Sequence, residues 1–182
     1  MNNAFPWRRL CCSALLLTLV FAPLGCKRKS KVRVQQTDEE SPRMASTVHM
    51  GDPKAETQLV SGFYGIEGNA WRWTQRQFSV VLRPPVGSAA KGATLHVRLT
   101  VPDPVIAKLK TVSLFAAISG STLAPETYTQ PGTYTYTRDV AARLLTGESV
   151  RVDFGLDKAM PPSGADLREL GLVVLEIGLE PK

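Results

Sequence analysis

Thr94–Val101 reads TLHVRLTV. In an extended chain Leu95, Val97, Leu99 and Val101 fall on one face and His96, Arg98 and Thr100 on the other. Period-two alternation with one wet face is the signature of an antiparallel strand. Pro102 and Pro104 stop it. Further along, Ser149–Leu156 (SVRVDFGL) repeats the pattern with Val150, Val152, Phe154 and Leu156 inward. Gln77–Leu82 (QFSVVL), Thr111–Ile118 (TVSLFAAI), Thr133–Arg138 (TYTYTR) and Leu170–Leu179 (LGLVVLEIGL) read as further strands, rich in the β-branched and aromatic residues that strands favour. Val105–Lys110 and Val140–Leu145 read as single helical turns. Six or more short strands separated by Gly and Pro clusters, without a βαβ rhythm, predict an all-β domain. The expected fold is an antiparallel β-sandwich, jelly-roll-like, over residues 57–182. Val97, Leu99, Val152 and Phe154 are its expected core.

Residues 1–26, MNNAFPWRRLCCSALLLTLVFAPLGC, have another texture. Arg8-Arg9 precede an apolar run from Leu10 to Leu24, and Gly25-Cys26 close it. That is the order of a secretory signal, and it is short for a membrane-spanning helix of about 20 residues. Gly25-Cys26 resembles the lipobox of bacterial lipoproteins, which implies lipidation of Cys26. Pro23 and Leu24 depart from that pattern, which favours Leu and a small residue at those positions. Cleavage elsewhere, or an uncleaved anchor, therefore stays open, and the cations after Cys26 oppose translocation.

Residues 27–56 are polar and without apolar periodicity, and are expected to form a basic flexible tether. The exported side of a membrane in the cell envelope is the expected location. All three cysteines lie in the first 26 residues, so the domain holds no disulfide. The chain's net charge of +6 invites a nucleic-acid reading. From Met44 onward, however, 14 Lys and Arg stand against 13 Asp and Glu, a net of +1. A nucleic-acid domain carries its basic excess on the fold, so no nucleic-acid partner is expected.

Catalytic patterns are missing. His49 and His96 have no second His or Cys at metal spacing, and His96 reads as a surface strand residue. No phosphate loop and no Gly-x-Ser-x-Gly elbow occur, and Asp153-Phe154-Gly155 spells a kinase triplet without its partner motifs. Glu67, Asp103, Glu126, Asp153 and Asp157 are scattered carboxylates from which no spacing selects a pair. Neither enzyme activity nor a cofactor is expected.

The aromatic residues carry the remaining signal. Sugars present apolar CH faces to flat rings. Trp71 and Trp73 share a strand face, with Phe63, Tyr64 and Glu67 just upstream. The tryptophans serve either as core or as ligand platform, and Tyr128, Tyr134 and Tyr136 form a second aromatic strip with the same two readings. Gly62–Thr74 (GFYGIEGNAWRWT) and Asp166–Gly171 (DLRELG) resemble motifs of small bacterial envelope β-sandwich modules, also found as accessory units beside some glycosyltransferases. The resemblance implies a sugar-facing role and a structural closing segment. Tyr64, Glu67, Trp71 and Trp73 are thus the candidate ligand residues of a non-catalytic, membrane-tethered module binding an envelope glycan. The alternatives are an assembly lipoprotein that binds another envelope protein and a cryptic glycoside hydrolase.

Overall fold

The computed structural model describes residues 44–182. The leader, Cys26 and the tether up to residue 43 lie outside the described residues. Nine strands follow in chain order: β1 (Thr47–His49), β2 (Leu59–Phe63), β3 (Arg72–Leu82), β4 (Ala93–Val101), β5 (Val112–Ile118), β6 (Ser121–Tyr128), β7 (Gly132–Val140), β8 (Val150–Leu156) and β9 (Val173–Pro181). Two short helices, α1 (Ser88–Lys91) and α2 (Asp103–Leu109), lead into β4 and β5.

The strands form two antiparallel layers. The front sheet runs β2-β3-β8-β5-β6, and the back sheet runs β7-β4-β9, with β1 and the start of β3 on the other edge of β9. β3 belongs to both. Arg72–Trp73 pair with β9, whereas Gln77–Leu82 pair with β8. From β4 onward the chain passes back, front, front, back, front, back, which is the strand exchange of a jelly roll. The expected fold class is therefore observed.

The alternation read from sequence is the alternation of burial. Leu95, Val97, Leu99 and Val101 face Val152, Phe154 and Leu156 across the sandwich, all fully or almost fully buried. Each such aliphatic side chain contributes roughly 1.5–3 kcal/mol when removed from water. β9 keeps its apolar face inward through a register shift opposite Arg98/Leu99, so that Val174 and Ile177 are both buried.

Two expectations are corrected. Residues 44–56, read as the end of the tether, belong to the fold. Thr47–His49 pair with Gly178–Glu176, and Val48 and Met50 are buried. Gln58 accepts from the Ala45 amide at 2.8 Å and donates to the Ala45 and Val81 carbonyls at 3.0 and 2.7 Å. Three buried apolar side chains, Val48, Met50 and Ala55, and borrowed backbone partners suffice for so short a segment, which is why its polar composition concealed it. His96, read as a surface residue, is buried although it lies on the outer face of β4. A Cβ at the neighbouring Gly178 would collide with its ring. His96 Nε2 and His49 Nδ1 both face the Glu176 carboxylate, at 3.0 and 2.9 Å.

Strand directions give the domain two ends. Leu82, Ala93, Val140, Val150 and Pro181 lie at one, where the chain also enters at Met44. Arg72, Val101, Gly132 and Val173 lie at the other, about 27 Å away by strand rise along β4.

Candidate functional site

The two motifs singled out in the sequence meet at the far end. After β2 the chain carries Tyr64 and Glu67, then turns through Gly68 and Asn69 at φ 56° and 53°. Gly68 is needed there twice over. Its φ is left-handed, and a Cβ would stand 2.8 Å from the Trp71 indole nitrogen. The turn closes with the Glu67 amide donating to the Trp71 carbonyl at 2.9 Å.

Arg168, from the closing motif, reaches into this turn. Its Nη1 donates to Glu67 Oε1 at 2.7 Å. Its Nε and Nη2 grip both oxygens of Asp166 at 3.0 and 2.8 Å, a planar fork on a planar carboxylate. The guanidinium lies 5.2 Å from the Tyr64 ring centroid, and the Tyr64 hydroxyl donates to the Glu169 carbonyl at 2.9 Å. Glu169 in turn accepts from the Arg76 amide at 2.8 Å. Hydrogen bonds from the Arg168 side chain and backbone hold the Asp166 carboxyl down at about 2, and side-chain hydrogen bonds to Asp166 and then Glu67 raise the Arg168 guanidinium. Ionised throughout the neutral range, Asp166 is no general acid.

Beneath this layer Arg72 is buried. It donates to the Met50 and Tyr64 carbonyls, both at 3.1 Å, and meets Glu56 at 2.8 Å. Thr74 is buried as well, and its hydroxyl accepts from the Leu172 amide at 3.1 Å. β3 thus begins with its polar residues inward. Trp71 and Trp73 are left half-buried, packed edge to face at 6.4 Å, with Trp73 against the core. The four candidate residues are therefore brought together, with Tyr64 and Glu67 both engaged by Arg168. The tyrosine strip is not a surface: Tyr128 and Tyr136 are buried, and burial pushes both phenols up.

A second surface escaped the sequence reading. On the outer face of the front sheet, Phe115, Gly155 and Gln77 lie side by side on β5, β8 and β3. The next row holds Thr122, Ala117, Asp153 and Ser79 on β6, β5, β8 and β3. Gly155 and Ala117 are low between taller neighbours, the Gln77 amide lies over Gly155 with its polar atoms 3.1 Å from where a Cβ would stand, and the surface forms a shallow groove of about 280 Å³. Phe115 stands at its side, 46% exposed, although large apolar side chains on this fold are otherwise mostly buried. The Gln77 amide has no hydrogen-bond partner among the described residues. Asp153, which lines the groove, accepts from Arg151 Nε at 2.7 Å through Oδ1, and Oδ2 has no hydrogen-bond partner among the described residues. Arg151 also donates to the Ser79 hydroxyl at 3.1 Å, fixing the pair to the sheet. Under the floor Phe154 stacks on Phe78 at 4.9 Å and 13°, so the surface is backed by packed core. The alternation in Thr111–Ile118 held the signal. With Val112, Leu114, Ala116 and Ile118 inward, Phe115 had to face water.

Among the described residues no group of three or more His, Cys, Asp or Glu is placed to hold a metal ion, and no helix is long and apolar enough to cross a membrane.

No protein-family model matches the chain, and no curated protein matches it. Among solved structures, it is similar to the CBM36-1 domain of a multidomain xylanase from the hindgut metagenome of Trinervitermes trinervoides, at 13% identity and a TM-score of 0.38 over 72% of this chain and 94% of that one. It is also similar to the carbohydrate-binding module CBM36 in complex with calcium and xylotriose, at 14% identity and a TM-score of 0.40 over 74% of this chain and 98% of that one. A structure described as CBM4 structure and function matches at 11% identity and a TM-score of 0.38 over 75% and 85%.

Proposed function

We propose that the domain is a non-catalytic glycan-binding module of a membrane-tethered envelope protein, and that the front-sheet groove holds a neutral sugar unit. The observation that carries the reading is Phe115, exposed beside a floor of Gly155 and Ala117 and flanked by the free amide of Gln77. The ring takes the CH face of a pyranose. The Gln77 amide, with a donor and an acceptor, spans neighbouring hydroxyls, and Asp153 Oδ2 accepts from another. A groove with packed core beneath it binds without reordering, which limits the entropy lost.

The corner of Tyr64, Glu67, Trp71 and Trp73 is the second reading, favoured by the half-exposed edges of the two tryptophans. Titration calorimetry of residues 44–182 with neutral oligosaccharides separates the two. Phe115→Ala is expected to weaken binding about ten-fold, the roughly 1.4 kcal/mol of one aromatic contact. Trp71→Ala should leave it unchanged. The reverse pattern moves the site to the corner. No glycan binding together with stoichiometric capture of one envelope protein replaces the reading with an assembly role. The tether belongs to the same proposal, with Cys26 as lipid acceptor. Intact-mass analysis of the membrane-bound mature protein is expected to find Cys26 carrying lipid, and an unmodified Cys26 there overturns that part.

A further inference from the structure

The domain's entry end sets an exposed apolar tip among cations that no carboxylate of the described residues pairs. At the entry end the link from β3 to β4 carries Arg83-Pro84-Pro85-Val86-Gly87. Val86 is 95% exposed, the most exposed large apolar side chain among the described residues. The two prolines before it hold the tip stiff. Around it stand Arg83, Lys91 on α1, and Arg143 on the 3-10 turn packed against α1, all exposed. No carboxylate of the described residues pairs with these three. Glu148 lines the same hollow as Arg83, Asp139 is held by Lys182 at 2.9 Å, and Glu180 lies on the outer face of the back sheet. The chain enters at this end. The Arg83 amide donates to the Ala45 carbonyl at 3.0 Å, and Met44 lines a hollow with Arg83 and Glu148. The 43 residues before it include the apolar leader and the basic run Lys27–Arg33.

We propose that the entry end is a docking face for an anionic lipid surface. Val86 enters the headgroup layer, and Arg83, Lys91 and Arg143 lie against lipid phosphates. One valine and three cations hold a free protein weakly. For a domain already kept near the bilayer by its own N-terminus they act at high effective concentration and set orientation. The strands of the back sheet then run away from the membrane, with the Arg168 corner at the end far from it. The inference rests on the membrane tether proposed above and is independent of what the groove binds.

The core residues of the described chain form one packed cluster within residues 44–182, which contain no cysteine. A fluorophore on Val86→Cys, with Leu167→Cys at the opposite end as control, reports docking. An N-terminal His tag and a nickel-chelating lipid hold the domain on vesicles in place of the tether. On phosphatidylcholine with one-third phosphatidylglycerol, the label at position 86 is expected to shift to the blue and to resist iodide quenching several-fold better than on phosphatidylcholine alone. The label at 167 should stay fully quenchable on both. Each of Arg83→Gln, Lys91→Gln and Arg143→Gln should lower the docked-to-free ratio about five-fold, corresponding to about 1 kcal/mol per basic residue. Equal quenching at position 86 on both vesicles, or equal shelter at 167, overturns the proposal. The vesicles carry no glycan, so either result leaves the sugar-binding reading untouched.

Discussion

The far-end corner and the front-sheet face are built from the same kinds of residue and do different things with them. Each combines aromatic, arginine and carboxylate side chains. At the corner Arg168 is shared between Glu67 and Asp166, Tyr64 is bonded to Glu169, and Arg72 is buried beneath them. On the face Arg151 takes one oxygen of Asp153, and the Gln77 amide and the Phe115 ring are left to solvent. A site for a ligand needs groups whose bonding capacity is unfilled in the free protein. Composition alone does not reveal that, because unfilled and filled groups have the same sequence.

The largest expected effect removes what supports the face. Phe154→Ala deletes the ring stacked on Phe78 under the groove floor and should lower stability by about 3–5 kcal/mol in urea unfolding. Sugar binding should fall with it. A stable Phe154→Ala domain with normal binding would show that the floor does not depend on this packing. Next comes Arg168→Ala, expected to lower stability by about 1–2 kcal/mol with sugar affinity unchanged. It loses a forked pair and a second ion pair, but about a third of its side chain is open to water, which screens both. Arg143→Ala, with an exposed and unpaired side chain, is the control and should stay within about 0.5 kcal/mol. If Arg168→Ala abolishes binding and spares stability, the roles of the two regions exchange. Smaller again is Phe115→Ala, whose melting temperature should match the wild type while its binding weakens about ten-fold. A marked drop in melting temperature would make Phe115 a packing residue.

The smallest effect is electrostatic and belongs to the corner. Asp166 titrates at about 2 in the folded chain against 3.8 for a free carboxyl. A depressed folded value contributes stability that is present above the unfolded value and is lost as pH falls toward 2. Acid titration of the melting temperature should therefore be shallower between pH 4 and 2 for Asp166→Asn than for the wild type. Identical slopes would remove the Arg168–Asp166 pair from the stability account.

The strands legible in the sequence are those whose own side chains decide their burial. β4 and β8 alternate cleanly, because one face of each is core and the other is wet. β1 is three residues long and owes its place to β9, so its information lies about 130 residues away. β6 carries Pro125, which an edge strand tolerates and a sequence pattern reads as a break. At the candidate site, the two motifs were visible as motifs, but only contact shows that Arg168 links them. Phe115 stood inside a run read for its burial, and its neighbours Gly155 and Gln77 come from strands far apart in the chain. The pairing of His49 and His96 on Glu176 was likewise invisible, since it depends on three strands in register.

β3 is hydrogen-bonded into both sheets. Neither layer can therefore open without loosening the other, because the same backbone would have to leave two ladders at once. The domain should melt as a single cooperative unit, with calorimetric and van't Hoff enthalpies equal. A mutation at the far end and one beneath the groove, although on different surfaces, then draw on one shared reserve of stability.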